Sequence, residues 1–322
     1  MNILVTGGAG FIGSNLVEKL LQNSEVTIVR VLDNLATGKE KNIEEFLSNP
    51  KFKFIEGDIR NYETCLQACE GIQLISHQAA LGSVPRSIND PLTTNEVNIT
   101  GTLNIFTAAK DKGIRRVIYA ASSSTYGDHP GLPKVEDKIG SPLSPYAVTK
   151  YVNELYAKVY ADVYGLELIG LRYFNVFGPK QDPNGAYAAV IPLFMKAVID
   201  NEPPGINGDG EHSRDFTFVD NAVQANVLAL FTQNNVAINQ VYNVACGERT
   251  TLNELFENIK QVAGSDLAPK YGPERKGDVK HSLADISKAS QYLNYHPKVS
   301  VKEGLKVTFE WYRRFHNFSY SI

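Results

Sequence analysis

The sequence has few cysteines and almost no net charge. Its three cysteines, Cys65, Cys69 and Cys246, form an odd and irregularly spaced set, which argues against a disulfide framework. Lysine and arginine number 32 against 35 aspartate and glutamate residues, a formal net charge of −3. Such a chain lacks the positive field that holds nucleic acid or an anionic membrane surface, so we expect neither as a partner.

Long apolar runs and metal-ligand spacings are also missing. No apolar run approaches the roughly 18 residues of a transmembrane helix. The first residues show no basic segment followed by a cleavage site, and we therefore expect a cytoplasmic protein. The six histidines are scattered and none has a spacing typical of zinc sites, so no metal site is predicted.

The first half of the chain alternates apolar segments with helical patterns. Segments rich in Val, Ile and Leu, typical of parallel strands covered on both faces, lie at 2–6, 26–32, 52–56, 74–77, 117–121 and 167–171. Helical patterns separate them near 11–22, 61–68, 93–112 and 145–164. This order predicts right-handed crossovers and a doubly wound parallel sheet, which is an α/β fold.

The pattern changes after Arg172, and a length of 322 residues suggests roughly two domains. Loop-rich segments near 179–187, 201–215 and 264–280 alternate with helical patterns near 187–200, 221–231, 251–263 and 301–311. We therefore expect a nucleotide-binding domain over 1–175 and a smaller α/β substrate domain over 176–322. The segment 219–245 is expected to return to the first domain, because 241–244 has the composition of a strand.

A glycine-rich motif, T-G-G-A-G-F-I-G at 6–13, joins the first predicted strand to the first helix. Gly7, Gly10 and Gly13 follow a variant of the Rossmann fingerprint, in which glycines let the backbone approach a pyrophosphate at a helix N-terminus. Asp33 ends the second strand 20 residues after Gly13, where an acid can bind the adenine ribose. The motif predicts a Rossmann-type dinucleotide site, and the carboxylate favours NAD over NADP.

Two further segments suggest contacts and chemistry at this site. Asp58 and Ile59 follow the third strand and could reach the adenine, although a loop aspartate can equally cap a helix. Tyr146 and Lys150 lie on one face of a predicted helix, where the ammonium and a cationic nicotinamide ring would favour the phenolate. A tyrosine tuned in this way can act as a general base at a sugar or alcohol hydroxyl.

Taken together, these motifs resemble those of the extended short-chain dehydrogenase/reductase family over essentially the whole chain. The resemblance also rests on D-N at 33–34, S-S-S-T-Y-G at 122–127, S-P-Y-A-V-T-K at 144–150, R-Y-F-N-V-F-G-P at 172–179 and G-D-G-E-H-S-R-D-F at 208–216. Within the family the chain is most similar to bacterial UDP-N-acetylglucosamine 4-epimerases, through Q-A-A-L-G-S-V-P-R-S at 78–87 and Y-G-D-H-P-G-L-P-K-V-E at 126–136.

The resemblance implies a role for individual residues. The catalytic set is Ser122, Tyr146 and Lys150. The NAD-binding set is Gly7, Gly10, Phe11, Ile12, Gly13, Asp33, Asn34, Asp58, Ile59, Ala79, Asn98, Tyr146, Lys150 and Phe174. The UDP-sugar set is Ser83, Arg86, Ser122, Ser123, Tyr146, Asn175, Arg214, Arg275, Asp278 and Ser282. A homodimer joined through the helices near 93–112 and 145–164 is also implied.

The implied reaction is C4 epimerisation of a UDP-sugar through a 4-keto intermediate, with NAD retained and Ser122 relaying a proton to Tyr146. Ser282 stands where relatives limited to glucose and galactose carry a bulky Tyr, so an N-acetylated sugar is expected to fit. Gly82 stands where the galactose-type epimerases carry a Lys near the cofactor, so the resemblance implies that this lysine contact to NAD is missing here. Ser123 and Ser124 replace the Asp-Glu pair of 4,6-dehydratases and argue against dehydration.

Several alternatives stay open from the sequence. The substrate could be UDP-glucose, UDP-galactose or UDP-glucuronate, and a UDP-glucuronate decarboxylase would share the first chemical step. A protein of another class, an inactive NAD-binding regulator, would keep the glycine motif without needing Ser122, Tyr146 and Lys150.

Overall fold

A computed structural model of the chain describes residues 1–185, 188–274 and 280–319. The strands, in chain order, are β1 (Asn2–Thr6), β2 (Ile28–Asp33), β3 (Phe52–Glu56), β4 (Leu74–His77), β5 (Arg116–Ser122), β6 (Glu167–Tyr173), β7 (Val176–Phe177), β8 (Gly205–Asn207), β9 (Ser213–Arg214), β10 (Thr217–Phe218), β11 (Gln240–Val244), β12 (Thr250–Thr251) and β13 (Lys270–Gly272). Seven of them form a parallel sheet in the order β11-β6-β5-β4-β1-β2-β3. The predicted doubly wound sheet is confirmed.

The α-helices of the described residues are α1 (Phe11–Leu21), α2 (Tyr62–Ala68), α3 (Val84–Asn89), α4 (Pro91–Asn95), α5 (Gly101–Asp111), α6 (Pro145–Tyr164), α7 (Val190–Ile199), α8 (Val219–Phe231), α9 (Leu252–Ala263), α10 (Ser287–Leu293) and α11 (Val301–Ser319). The single helix predicted near 93–112 is interrupted, because a π-helical turn, Glu96–Thr100, joins α4 to α5. In the described part of the chain, no helix combines the length and apolarity needed to cross a bilayer.

Apolar side chains cover both faces of the sheet. On one face Ile3, Val5 and Val31 pack in a cluster with side chains of α1 and α8. On the other face the alternate residues Leu4 and Ile75 pack with side chains of α2, α5 and α6. Cys65 and Cys69 belong to this second cluster, and burial raises the pKa of each thiol to about 12.

The segment after β6 contributes to the sheet and also builds a separate group of short strands. Helix α8 covers one face of the sheet, and β11 pairs in parallel with β6. The strand predicted at 241–244 is thus found as β11. Outside the sheet, β8 pairs with β13, β9 with β12, and β7 with β10. One strand of each pair, β7, β8 or β9, lines the wide cavity described below together with α7.

The ends of α6 are set by local sequence. Ser144 caps the helix by accepting the Ala147 amide at 3.1 Å, and Pro145 occupies the first helical position, where its missing N–H is harmless. Gly165 ends the helix with a positive φ of 69°. The catalytic candidates of α6 are therefore carried on its first two turns, beside the carboxyl end of β5.

Candidate active site

Two adjoining cavities lie at the carboxyl edge of the sheet. The glycine-loop cavity, about 370 Å³, is lined by the loop after β1, the ends of β2 and β4, and the first turns of α6. The wide cavity, about 1250 Å³, is lined by residues 122–124 after β5, residues 174–177 after β6, and parts of α7, β8 and β9. Ligand crevices of doubly wound sheets occur at this edge.

The glycine loop is shaped for close approach of a ligand. Gly7 has a positive φ of 69°, and a Cβ added at Gly13 would lie 2.1 Å from the Gly7 carbonyl oxygen. Gly10 is the N-cap of α1 and provides no side-chain cap, so the first amides of the helix face the cavity rather than a capping group. Phe11 and Ile12 complete this rim. A pyrophosphate fits such a cradle, because helix N-termini favour anions.

Acidic side chains line the end of the same cavity beside the carboxyl ends of β2 and β3. Asp33 is buried, and its two oxygens accept the amides of Ala9 and Leu35, each at 2.9 Å. Burial raises the pKa of Asp33, while these two hydrogen bonds oppose the rise. Asp58 accepts Asn34 at 2.9 Å and pairs with Arg60, which holds the pKa of Asp58 at about 2. A ribose at this end would meet the ionised Asp58 and the buried carboxyl group of Asp33.

The other end of the glycine-loop cavity holds Tyr146 and Lys150. The Lys150 ammonium donates to the Ala120 carbonyl at 2.8 Å and lies 5.9 Å from the centre of the Tyr146 ring. Burial lowers the pKa of Lys150 to about 8. Burial also raises the pKa of Tyr146, and a hydrogen bond with Ser122 lowers it. The sequence predicted a lowered pKa for Tyr146. The protein groups alone do not lower it, because desolvation raises this pKa by more than the Ser122 hydrogen bond lowers it.

Three serines, residues 122–124, lie at the carboxyl end of β5, at the boundary between the two cavities. Ser122 ends the strand and caps the short 3-10 helix Ser123–Tyr126. Its oxygen accepts the Ser124 amide at 3.1 Å and the Ser124 hydroxyl at 2.9 Å. All three serines line the wide cavity. Ser122 thus lies at the end of β5 with its hydroxyl held by Ser124 in the wall of the wide cavity.

The wide cavity gathers most of the residues that the resemblance assigns to the sugar nucleotide: Ser83, Ser122, Ser123, Asn175, Arg214 and Ser282. Arg214 donates to the carbonyls of Ser213 and Lys280, and Asn175 donates to the Asp215 carbonyl at 3.0 Å. The backbone of Ser282 is held in place because its amide donates to the Ser213 carbonyl at 3.0 Å. Arg275 and Asp278 lie outside the described residues.

Three assignments differ from the expected positions. Asn98 lies behind the wall of the glycine-loop cavity, where it is buried and bonds both the amide and the carbonyl of Leu81. Phe174 lines the wide cavity instead of the glycine-loop cavity, because it packs under Tyr126 with ring centres 5.9 Å apart. Arg86 lies on α3, outside the lining of both cavities. The remaining NAD candidates, Ile59 and Ala79 included, line the glycine-loop cavity.

A polar network beside the glycine-loop cavity was not expected from the sequence. Gln78 donates to Ser76 and Asn226, and Tyr173 donates to Gln78 at 3.0 Å and accepts from Asn226 at 2.8 Å. Gln78 and Tyr173 line the cavity. Lys134, buried in the wall of the wide cavity, was also missed. Gln78, Tyr173 and Lys134 stand within the stretches 78–87, 172–179 and 126–136 quoted above, but their contacts depend on partners distant in the sequence, which no local motif shows.

The fold and the two cavities define a dinucleotide-binding protein of the Rossmann-type α/β class. The chain belongs to the NAD dependent epimerase/dehydratase family, whose model matches residues 3–245, and NAD is the cofactor of that family. The extended short-chain dehydrogenase/reductase resemblance is thereby confirmed.

Similar proteins within the family carry different substrate names. The chain is 39% identical to a putative UDP-glucose 4-epimerase of Methanocaldococcus jannaschii, covering 96% of this chain and 97% of that protein. A UDP-N-acetylglucosamine 4-epimerase from Methanobrevibacter ruminantium, solved with UDP-N-acetylmuramic acid, is 42% identical, with a TM-score of 0.90 and 98% of each chain covered. A UDP-glucuronic acid 4-epimerase from Bacillus cereus, solved with UDP-glucuronic acid and NAD, is 33% identical, with a TM-score of 0.91 and coverage of 98% and 100%.

Proposed function

We propose that this protein is a UDP-sugar 4-epimerase with tightly bound NAD, and that it prefers UDP-N-acetylglucosamine and UDP-N-acetylgalactosamine. The observation that carries the proposal is the position of Tyr146 and Ser122 at the boundary between the two cavities. A sugar held in the wide cavity can reach both groups, while a dinucleotide occupies the glycine-loop cavity. The similar proteins support 4-epimerase chemistry and leave the sugar open.

The residues of this chain supply binding and proton transfer. When bound, NAD supplies reversible hydride acceptance at carbon 4 of the sugar. The Tyr146 phenolate removes the proton of the 4-hydroxyl, and Lys150 stabilises the negative charge of that phenolate. After the keto sugar has turned its other face, Tyr146 returns the proton to the oxygen. Arg214 is proposed to contact the diphosphate, for which a guanidinium offers paired donors.

The preference for an N-acetylated sugar rests on the size of Ser282. This residue lines the wide cavity, as Ser122 and Ser124 do, and its small side chain leaves space that a tyrosine would fill. The similarity to a UDP-N-acetylglucosamine 4-epimerase agrees with this interpretation. We therefore propose that the 2-acetamido group lies against Ser282.

UDP-glucuronate is the second candidate, and Lys134 favours it. Lys134 is 5% exposed in the wall of the wide cavity, and burial lowers its pKa. Its ammonium donates to the His129 carbonyl. A carboxylate on the sugar would offset the cost of burying this positive charge.

A panel of UDP-sugars tests the proposal. The purified protein is incubated without added NAD with UDP-N-acetylglucosamine, UDP-glucose and UDP-glucuronate, and the C4 epimers are separated by chromatography. We expect the highest kcat/KM for the N-acetylated sugar and about one NAD released per denatured chain. Higher efficiency for UDP-glucuronate would favour the second candidate. Bound NAD without turnover of any sugar would favour the inactive regulator.

A further inference from the structure

Asp215 is a buried carboxylate that holds two separate segments of backbone. The residue directly follows β9 and has no exposed surface. One of its carboxylate oxygens accepts the Cys246 amide at 3.0 Å, and the other accepts the amides of Gly247 and Ala284, each at 3.1 Å. Hydrogen bonds to a carboxylate are stronger than those between neutral groups. The Asp215 side chain therefore joins the turn after β11 to the chain around Ala284.

The backbone of Asp215 holds a third segment, the turn between β6 and β7. Its carbonyl accepts the side-chain amide of Asn175 at 3.0 Å, and the Asn175 carbonyl accepts the Thr217 amide at 3.3 Å. Asn175 lines the wide cavity, and so does Arg214, which immediately precedes Asp215. Asp215 is thus directly bonded to one proposed ligand of the sugar nucleotide and is the chain neighbour of another.

The chain around Ala284 belongs to the same cavity wall. Residues 280–285, called the wall segment below, run beside β9, where the Ser282 amide donates to the Ser213 carbonyl at 3.0 Å. Ser282 lines the wide cavity, whereas Ala284 is buried. Because the Ala284 amide donates to Asp215, the carboxylate holds the wall segment at the point where it enters the protein interior.

Burial makes the charge of Asp215 sensitive to pH. Desolvation raises the pKa of Asp215 to about 7, the three amides oppose this rise, and the Glu248 charge adds to it. Cys246 and Tyr295 also face the carboxylate, and burial raises the pKa of both, so they are neutral near pH 7. On its own segment the charged neighbour is Arg214. Protonation would place a hydrogen on an oxygen that now accepts an amide.

We propose that Asp215 is a positioning residue for substrate binding, which holds the wall segment and Asn175 against Arg214 and thereby sets the affinity for the UDP-sugar. This inference rests on the proposed 4-epimerase function. Asp215 lies outside the lining of both cavities, so it acts through the residues that it holds. Its contacts in the described part of the chain do not include Tyr146, so the chemical step should depend on it much less than binding does.

Asp215→Asn tests the proposal in the NAD-loaded protein. The variant keeps the shape of the side chain and should fold, because the pKa of Asp215 allows its uncharged form near pH 7. We expect the KM and the calorimetric Kd of UDP-N-acetylglucosamine to rise about 10-fold, the order of one lost hydrogen bond to a charged group. The kcat should change less than about threefold, and the NAD content should stay at the wild-type value.

Asp209→Asn is the matched control, since Asp209 is an exposed carboxylate in the loop before β9. It should keep the wild-type KM, Kd and melting temperature. Wild-type KM and Kd in Asp215→Asn would overturn the proposal. A loss of kcat, NAD and melting temperature together would also overturn it, because that pattern indicates a general structural role.

The wild-type protein offers a second measurement, which decides the matter even if Asp215→Asn does not fold. The Kd of UDP-N-acetylglucosamine should rise as the pH falls from 8.5 to 6, because a protonated carboxyl group loses acceptor capacity for the three amides. His212 lines the wide cavity, and His281 lies 2.9 Å from the Ser213 hydroxyl. Protonation of either imidazole would add positive charge and strengthen diphosphate binding, which is the opposite direction. A Kd that stays constant or falls would overturn the proposal.

Hydrogen exchange without sugar separates this inference from the proposed function. Peptides covering 244–248 and the wall segment should exchange their amides faster in Asp215→Asn than in wild type, whereas the glycine loop at 6–13 should exchange at the same rate. If no UDP-sugar is bound or turned over, the proposed function fails, yet the exchange rates still decide whether Asp215 holds these segments. Equal exchange of both segments in the two proteins would overturn that role.

Discussion

The Lys150 ammonium is held 5.9 Å from the centre of the Tyr146 ring by a 2.8 Å hydrogen bond to the Ala120 carbonyl. This hydrogen bond anchors the Lys150 ammonium to β5. The distance between the Lys150 charge and the Tyr146 phenol is therefore set by the fold. Because burial raises the pKa of Tyr146 and lowers that of Lys150 to about 8, the protein groups alone disfavour the phenolate–ammonium pair. The positive nicotinamide ring of bound NAD would supply the missing stabilisation.

Tyr146→Phe removes the proposed base. We expect turnover at least about 10²-fold lower, because general base catalysis by a positioned side chain contributes about that much. The amount of NAD in the purified protein and the melting temperature should stay close to wild type, since the ring is kept. Epimer formation at the wild-type rate would remove Tyr146 from the mechanism.

Asp33→Ala removes the carboxylate at the β2 end of the glycine-loop cavity. The variant loses the acceptors of the Ala9 and Leu35 amides and the negative group proposed to bind the ribose hydroxyls. We expect less NAD per chain after purification and activity that rises when NAD is added. Asp33→Asn is the matched control, because it keeps the side-chain shape while removing the charge. Retention of full NAD by both variants would contradict the assignment.

The local parts of the site could be predicted from sequence, and the long-range parts could not. The glycine loop, Asp33 and the Tyr146–Lys150 pair follow from spacing along one strand or helix. Gln78 and Asn226 are 148 residues apart, and their hydrogen bond depends on α8 covering the sheet. Helix α3 has only six residues, too few to show a helical period. The Asp90 N-cap and Pro91 mark the start of α4. The apolar pattern over 93–112 instead predicted one longer helix that begins later.

The buried imidazole of His77 predicts a pH dependence of stability. Its Nδ1 lies 2.7 Å from the Thr6 hydroxyl and its Nε2 lies 3.0 Å from the Thr102 hydroxyl. Burial lowers its pKa from 6.5 to about 3, so the unfolded chain binds the extra proton. The contribution of His77 is therefore complete above pH 6.5, and it is lost as the pH falls towards 3, by up to about 1.4 kcal/mol per pH unit.

Urea unfolding between pH 7.5 and 5 measures this effect. The free energy of unfolding should fall more steeply with decreasing pH in wild type than in His77→Gln. The exposed His296 changed to Gln is the matched control and should keep the wild-type slope. Equal slopes for wild type and His77→Gln would contradict the interpretation.

Exposed apolar side chains on α4 and α6 predict a homodimer. Helices α4 and α6 contact each other. Even so, Leu92 of α4 is 77% exposed, and Val159 and Val163 of α6 are also exposed. An apolar surface of this kind is typical of a protein interface. Val159→Glu should convert a dimer to a monomer in light scattering, whereas Lys158→Gln on the same helix should not. A wild-type protein that is monomeric at micromolar concentration would contradict the prediction.

Ser282→Tyr tests the choice of sugar. The larger side chain would fill the space proposed for the acetamido group, and overfilling a packed site typically costs about 1–3 kcal/mol. We expect kcat/KM for UDP-N-acetylglucosamine to fall roughly 10- to 200-fold, at about 1.4 kcal/mol for each factor of ten. UDP-glucose lacks the acetamido group, so its kcat/KM should fall much less, and Ser282→Ala, which stays small, should keep the wild-type preference. Equal losses for the two sugars in Ser282→Tyr would contradict steric selection, because a clash with one substituent must separate the sugar that carries it from the sugar that does not.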